Sequence, residues 1–123
     1  MTPDQVPLRF FQSLQQEDYQ STWQLLTQRS QAKFIDNLVR SWKGQQADVL
    51  EHTFAKALFP AQLYWREFKK SLDLKTWLDQ RYQQLGQGTD EVIVKATPSE
   101  VQLLVYKENQ QWKLGYIETF LDN

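Results

Sequence analysis

Few residues in this chain could move a proton or hold a metal, and the candidates are quickly enumerated. The single histidine, His52, stands in Leu50-Glu51-His52-Thr53-Phe54. An imidazole titrates near neutrality and suits general acid or base work. Leu50 and Phe54 fall on the apolar stripe of a helix, however, which places Glu51 and His52 off it on a solvated face. No His-x-x-His or Glu-x-x-His spacing accompanies the histidine, and cysteine is absent. No metal centre, thiolate site or disulfide scaffold is therefore expected. The other acid–base candidates are Tyr116 and Glu118, two residues apart in a stretch of period two, so that both side chains would share one face of a closing strand. Glu91 and Glu100 fall at strand edges, where charge is ordinarily solvated, and a surface position is the bland reading of Glu118 as well.

Two further groups carry possible binding chemistry. Tyr64-Trp65-Arg66-Glu67-Phe68-Lys69-Lys70 interleaves rings with cations, a pattern able to stack on bases and neutralise phosphates. Helical spacing instead puts Tyr64 and Phe68 in the core and the charges outside, so no nucleic-acid partner is expected. Trp42, Tyr82, Tyr106 and Trp112 are candidates for the rim of a ligand pocket or a subunit contact, since their polar tips favour half-buried positions. There is no Gly-rich phosphate loop, serine nucleophile elbow or kinase signature.

Elements that would position these residues follow from periodicity. Phe10, Phe11 and Leu14 recur at helical spacing from about Pro7 to Gln16, with Pro7 suited to a first turn. Asp18 reads as the N-cap of a second helix carrying Tyr19, Trp23 and Leu26. Thr27 or Ser30 would cap a third, with Phe34, Ile35, Leu38, Val39 and Trp42 on one face and Gly44 ending it. Val49, Leu50, Phe54, Ala57 and Leu58 form a stripe that Pro60 should terminate. A short piece with Leu63, Tyr64 and Phe68 follows. Ser71 or Asp73 then caps a helix with Leu74, Trp77, Leu78, Tyr82 and Leu85 on one side, closed by Gly86 and Gly88. From Glu91 the period becomes two. Three strands are expected, turning at Thr97-Pro98-Ser99-Glu100 and at Glu108-Asn109-Gln110. Both strand faces carry apolar residues, so one should pack on the helices and the other needs further cover.

Two stretches carry a family resemblance. The opening PLRFFQSLQQEDYQSTWQLLTQRSQ is similar to the start of nuclear transport factor 2-like domains, the cystatin-like α+β folds, with its aromatic pair, acidic turn, aromatic helix and Leu-Leu-Thr ending. The closing VQLLVYKENQQWKLGYIETF resembles their terminal hairpin, with a Trp opening the last strand. Together they span somewhat under half of the chain. Between Gly44 and Gly86 the pattern reads helical, where such domains carry early strands of a curved sheet around a cavity. The resemblance implies a fold but not one activity, since that fold hosts isomerases, dehydratases, adaptors and non-catalytic domains. In its isomerase branch a sheet-borne acid in apolar surroundings works with a tyrosine that stabilises an oxyanion. It is this resemblance that would make Glu118 a base and Tyr116 a donor.

The bulk numbers set the frame. A chain of 123 residues with 14% aromatics suits one α+β domain, residues 1–123, with a substantial core. A formal net charge of -1 gives no field for attracting nucleic acid or an anionic membrane. The start, MTPDQVPLRFF, does not read as a signal peptide, and no run of roughly 20 apolar residues is present to span a bilayer. A cytoplasmic protein without cofactor is expected. The expected architecture is a helical layer on a three-stranded meander, and the expected role is a non-catalytic binding or protein-interaction module, self-associating as a homodimer through its sheet. The alternative is a small isomerase-like enzyme or a carrier for a small apolar ligand.

Overall fold

A computed structural model of the chain describes residues 1–121. After a 3-10 turn at Pro3–Gln5, six helices run in succession: α1 (Val6–Gln15), α2 (Tyr19–Gln24), α3 (Gln28–Ser41), α4 (Ala47–Ala55), α5 (Ala61–Ser71) and α6 (Leu74–Leu78). An antiparallel sheet follows, in the order β1 (Arg81–Leu85), β2 (Glu91–Thr97), β3 (Gln102–Glu108), β4 (Gln111–Gly115), and a last helix α7 (Tyr116–Phe120) closes the described chain. The α+β class is as expected. No helix among the described residues is long and apolar enough to cross a membrane.

Two helices, α2 and α3, start where the sequence supplies side-chain caps. Asp18 accepts the Ser21 N–H at 3.3 Å, and Thr27 Oγ1 accepts the Ser30 N–H at 3.1 Å, each satisfying an otherwise orphaned donor. Gly44 takes the left-handed φ of 85° just beyond α3, where a side chain would be strained. The stripe around Leu50 is narrower than expected. Leu50, Thr53 and Phe54 are buried, while Val49 and Leu58 are about half exposed.

Two expected boundaries are overturned. The helix expected to run through Leu85 stops at Leu78, and Arg81–Leu85 is a fourth strand rather than a third helical turn. Tyr82 and Leu85 stand at helical spacing from Leu78, but they are extended. Pairing Arg81 through Leu85 with Thr97 through Ile93 gives the segment a full ladder, and that tertiary gain overrides a local helical pattern. The Tyr82 hydroxyl donates to the Trp77 carbonyl at 2.6 Å and holds the reversal. At the other end, the strand expected to carry Tyr116 and Glu118 breaks at Gly115. A Cβ there would lie 2.7 Å from the Tyr106 ring, so the glycine admits a close ring contact as the chain turns off the sheet into α7. The Leu104 N–H, opposite Gly115 where β4 ends, donates to Thr119 Oγ1 of α7 at 2.9 Å.

The core has two centres. The inner sheet face, with Val94, Ala96, Leu103, Val105 and Leu114, is fully buried, as are Val6, Phe10, Phe11 and Leu14 at the start of the chain. The second centre is aromatic. Trp65 on α5 is fully buried, with ring centroids of Tyr64 and Phe68 at 5.2 Å, Phe34 at 5.7 Å, Phe54 at 6.0 Å and Trp23 at 6.5 Å. Beyond β4 the sheet is extended by the α2–α3 connection. The Leu114 N–H donates to the Leu25 carbonyl at 2.6 Å, and the Thr27 N–H donates to the Leu114 carbonyl at 3.1 Å.

The hairpin between β3 and β4 turns on Asn109 and Gln110, with φ of 51° and 64°. Two consecutive positive φ values give the turn whose twist matches a hairpin, and asparagine–glycine fills it best. Glutamine is strained at the second position. Gln110→Gly is expected to raise the unfolding free energy by about 0.5 kcal/mol, the relief of left-handed strain exceeding the entropy glycine loses. Urea denaturation would show this as a higher midpoint at unchanged slope.

Candidate functional site

Glu118 is buried, at 7% exposure, and not on the solvated strand end expected for it. Its two carboxylate oxygens accept the hydroxyls of Thr27 and Ser30, each at 2.8 Å. Both hydroxyl oxygens also accept from the backbone: Thr27 Oγ1 from the Ser30 N–H, and Ser30 Oγ from the Ile117 N–H, each at 3.1 Å. Glu108 joins the same end of α3, its oxygens accepting the Gln28 N–H at 3.1 and 3.2 Å. Two carboxylates thus meet the N-terminus of a 14-residue helix, where the helix dipole and unpaired N–H groups favour negative charge. The arrangement fastens α7 to α3. Clefts of about 460 and 260 Å3 open on the surface, and Glu118 lines neither.

Tyr116 does not share a face with Glu118. Residues two apart on a helix point about 200° apart, and both lie in α7. Tyr116 turns into the aromatic core, with Phe120 at 4.8 Å, Phe68 at 5.4 Å and Phe10 at 5.8 Å. Burial pushes its phenol up to about 12, which makes the proton harder to lose near neutrality. The base-and-donor pair that the resemblance suggested is therefore not assembled in this geometry.

The remaining candidates are dispersed. His52 lies exposed on α4. Glu91 is exposed, and Glu100 sits in the β2–β3 turn with an ion pair to Lys95 at 2.5 Å. No group of three or more His, Asp or Glu residues among those described is placed to hold a metal ion. On α5, Tyr64 and Phe68 pack on the core cluster as expected, and Trp65, not foreseen there, is its centre. Arg66 and Lys69 of that stretch approach Glu17 at 3.9 and 4.0 Å. The four rim candidates do not converge. Trp42 packs edge-on against Tyr64 at 6.3 Å, Tyr82 is bonded to Trp77, Tyr106 covers Gly115, and Trp112 lies under Lys107 Nζ at 5.7 Å.

Two surfaces remain. On the outer sheet face, register aligns Leu85, Ile93 and Leu104 in one cross-strand row. Gln83, Lys95 and Gln102 flank it on one side, and Glu91, Tyr106 and Lys113 on the other. The face expected to be broadly apolar thus carries a single apolar row, which ends at Leu85 on β1. Among the described residues no strand pairs with the outer edge of β1. The second surface is the 460 Å3 cleft, where α1, α2 and the β3–β4 hairpin meet. Its glutamines read in the sequence as solvated positions of the first two helices and of the second hairpin turn. No local signal could gather them, because they come from segments nearly a hundred residues apart.

Compared with family models, with curated proteins and with solved structures, the chain finds no match.

Proposed function

We propose that the chain is a non-catalytic interaction module that pairs with a second copy of itself through the outer sheet face and the β1 edge. The observation that carries this reading is the apolar row of Leu85, Ile93 and Leu104 running out to an edge strand with no strand partner among the described residues. Unpaired edge groups beside apolar side chains are a template for strand addition. Leu85 is 37% exposed at the end of that row, where a second row could cover it. The dispersal of His52, Glu118 and Tyr116 supports a role without catalysis. The fold is taken as a cystatin-like variant with a short sheet, on the strength of the opening aromatic helices and the closing hairpin, and the lack of cysteine fits a reducing cytoplasm. The enzyme or apolar-carrier alternative needs an apolar cavity open to Glu118, and no observation favours it.

Sedimentation equilibrium tests the proposal. The expected result is a species of twice the 14.7 kDa chain mass at micromolar concentration. Leu85→Glu should shift it to monomer while leaving far-UV circular dichroism intact, because the site is on the surface. A wild-type chain that sediments as a monomer throughout would remove the reading.

A further inference from the structure

The 460 Å3 cleft has a composition that narrows its ligand. Gln12 of α1, Gln16 just beyond its end, Gln24 of α2, and Gln110 and Gln111 of the hairpin all line it. None of these five amides makes a side-chain hydrogen bond to another described residue. Each offers donors and an acceptor on one planar group. Arg9 adds a fork of donors, and the half-buried Trp112 adds a ring.

The walls are fixed by contacts of their own. Ser13 Oγ, buried, donates to the Phe10 carbonyl and shares a 2.6 Å hydrogen bond with Thr22 Oγ1, which ties α1 to α2. Lys113 Nζ donates to the Gln24 carbonyl and ties β4 to the end of α2. A site whose walls are already held loses less freedom when it binds. The volume is within the range usual for small-ligand sites, roughly 300–1,000 Å3.

The chemistry of the lining selects among ligands. An apolar molecule would desolvate the amides without replacing their hydrogen bonds, which is unfavourable. A cation would find a single carboxylate in the lining, Asp18, whose oxygens already accept the Ser21 N–H and hydroxyl. A highly charged anion would meet Arg9 and Lys113, but with that carboxylate beside them and Lys113 already engaged. A molecule with many hydroxyls fits what remains. Each hydroxyl both donates and accepts, as each amide does, and the C–H face of a sugar ring matches an indole. We propose that this cleft is a binding site for a short neutral oligosaccharide.

Ligand-detected saturation-transfer NMR would test this with maltotriose, cellotriose and tri-N-acetylchitotriose, and with ATP as the charged, flat-ringed comparison. At least one trisaccharide is expected to bind and to shift the Trp112 indole N–H resonance. Trp112→Ala should weaken that binding about tenfold or more, which is 1.4 kcal/mol. Gln111→Ala, at an exposed position that leaves the fold intact, should weaken it severalfold. The site is refuted if no trisaccharide gives a transfer signal, or if the signal survives both substitutions unchanged. ATP shifting Trp112 while the trisaccharides do not would overturn the ligand class. The cleft lies beside β4, at the opposite edge of the sheet from β1 and Leu85, so a monomeric chain would leave this result standing.

Discussion

Trp65→Ala is expected to lower the unfolding free energy by about 4 kcal/mol, the range measured when a fully buried large aromatic is truncated. Trp65 has no exposed surface and meets five rings supplied by α2, α3, α4 and its own helix. Truncation therefore loosens four elements at once, and each neighbouring ring loses an edge or a face. Rings on four separate helices cannot collapse into the void without shifting backbone, so the cavity term should be near its maximum. For a chain of this length the melting temperature should fall by roughly 15 °C. Since small domains hold only about 5–15 kcal/mol in total, the variant should be close to its unfolding threshold at physiological temperature. Trp65→Phe separates packing from polarity. The indole Nε1 has no hydrogen-bond partner among the described residues, so phenylalanine removes an unsatisfied donor along with part of the ring. A cost of only about 1–2 kcal/mol is expected for it. Equal losses for the two variants in thermal denaturation would refute the packing account.

What could be read from the sequence divides along the range of the forces involved. Asp18 and Thr27 announce α2 and α3 because a cap is a contact across three residues, visible in any window of that size. The alternation of Val92 with Ile93 and of Leu103 with Leu104 announces β2 and β3 for the same reason. Tyr82 and Leu85 mislead because their helical spacing from Leu78 is local, whereas the ladder to Ala96 and Ile93 that makes them a strand is not. Tyr116 and Glu118 mislead in the opposite sense. Period two continues past Gly115 in the sequence, but the Tyr106 ring over Gly115 and the hydroxyls of Thr27 and Ser30 turn the chain into a helix. The two hydroxyls lie 88 and 91 residues away from Glu118, and no sequence window holds both ends. The cleft was hidden for the same reason. Each of its glutamines is an ordinary solvated residue on its own element, and only the packing of α1 against α2 and of the hairpin beside them brings the amides together.

Glu118→Gln, a change of one atom, is expected to cost about 2–3 kcal/mol. The carboxylate accepts two hydroxyls, and each hydroxyl is oriented toward it because its own oxygen is already engaged by a backbone N–H. An amide can accept only one of the two in that geometry. Its NH2 would face the other hydroxyl donor to donor, leaving a buried hydrogen without an acceptor or forcing the hydroxyl to turn away, at about 1–3 kcal/mol. The favourable placement of negative charge at the N-terminus of α3 is lost as well, about 0.3–1 kcal/mol more. Glu118→Ala should cost at least as much, since both hydroxyls then lose their acceptor. A double-mutant cycle in urea distinguishes this latch from a residue that is merely buried. In a Thr27→Val, Ser30→Ala background the donors are gone, and Glu118→Gln should cost less than in the parent chain by about 1–2 kcal/mol. Additive losses would mean that the carboxylate is not held by those hydroxyls, and Glu118 would again be open to the acid–base role that these two hydrogen bonds now argue against.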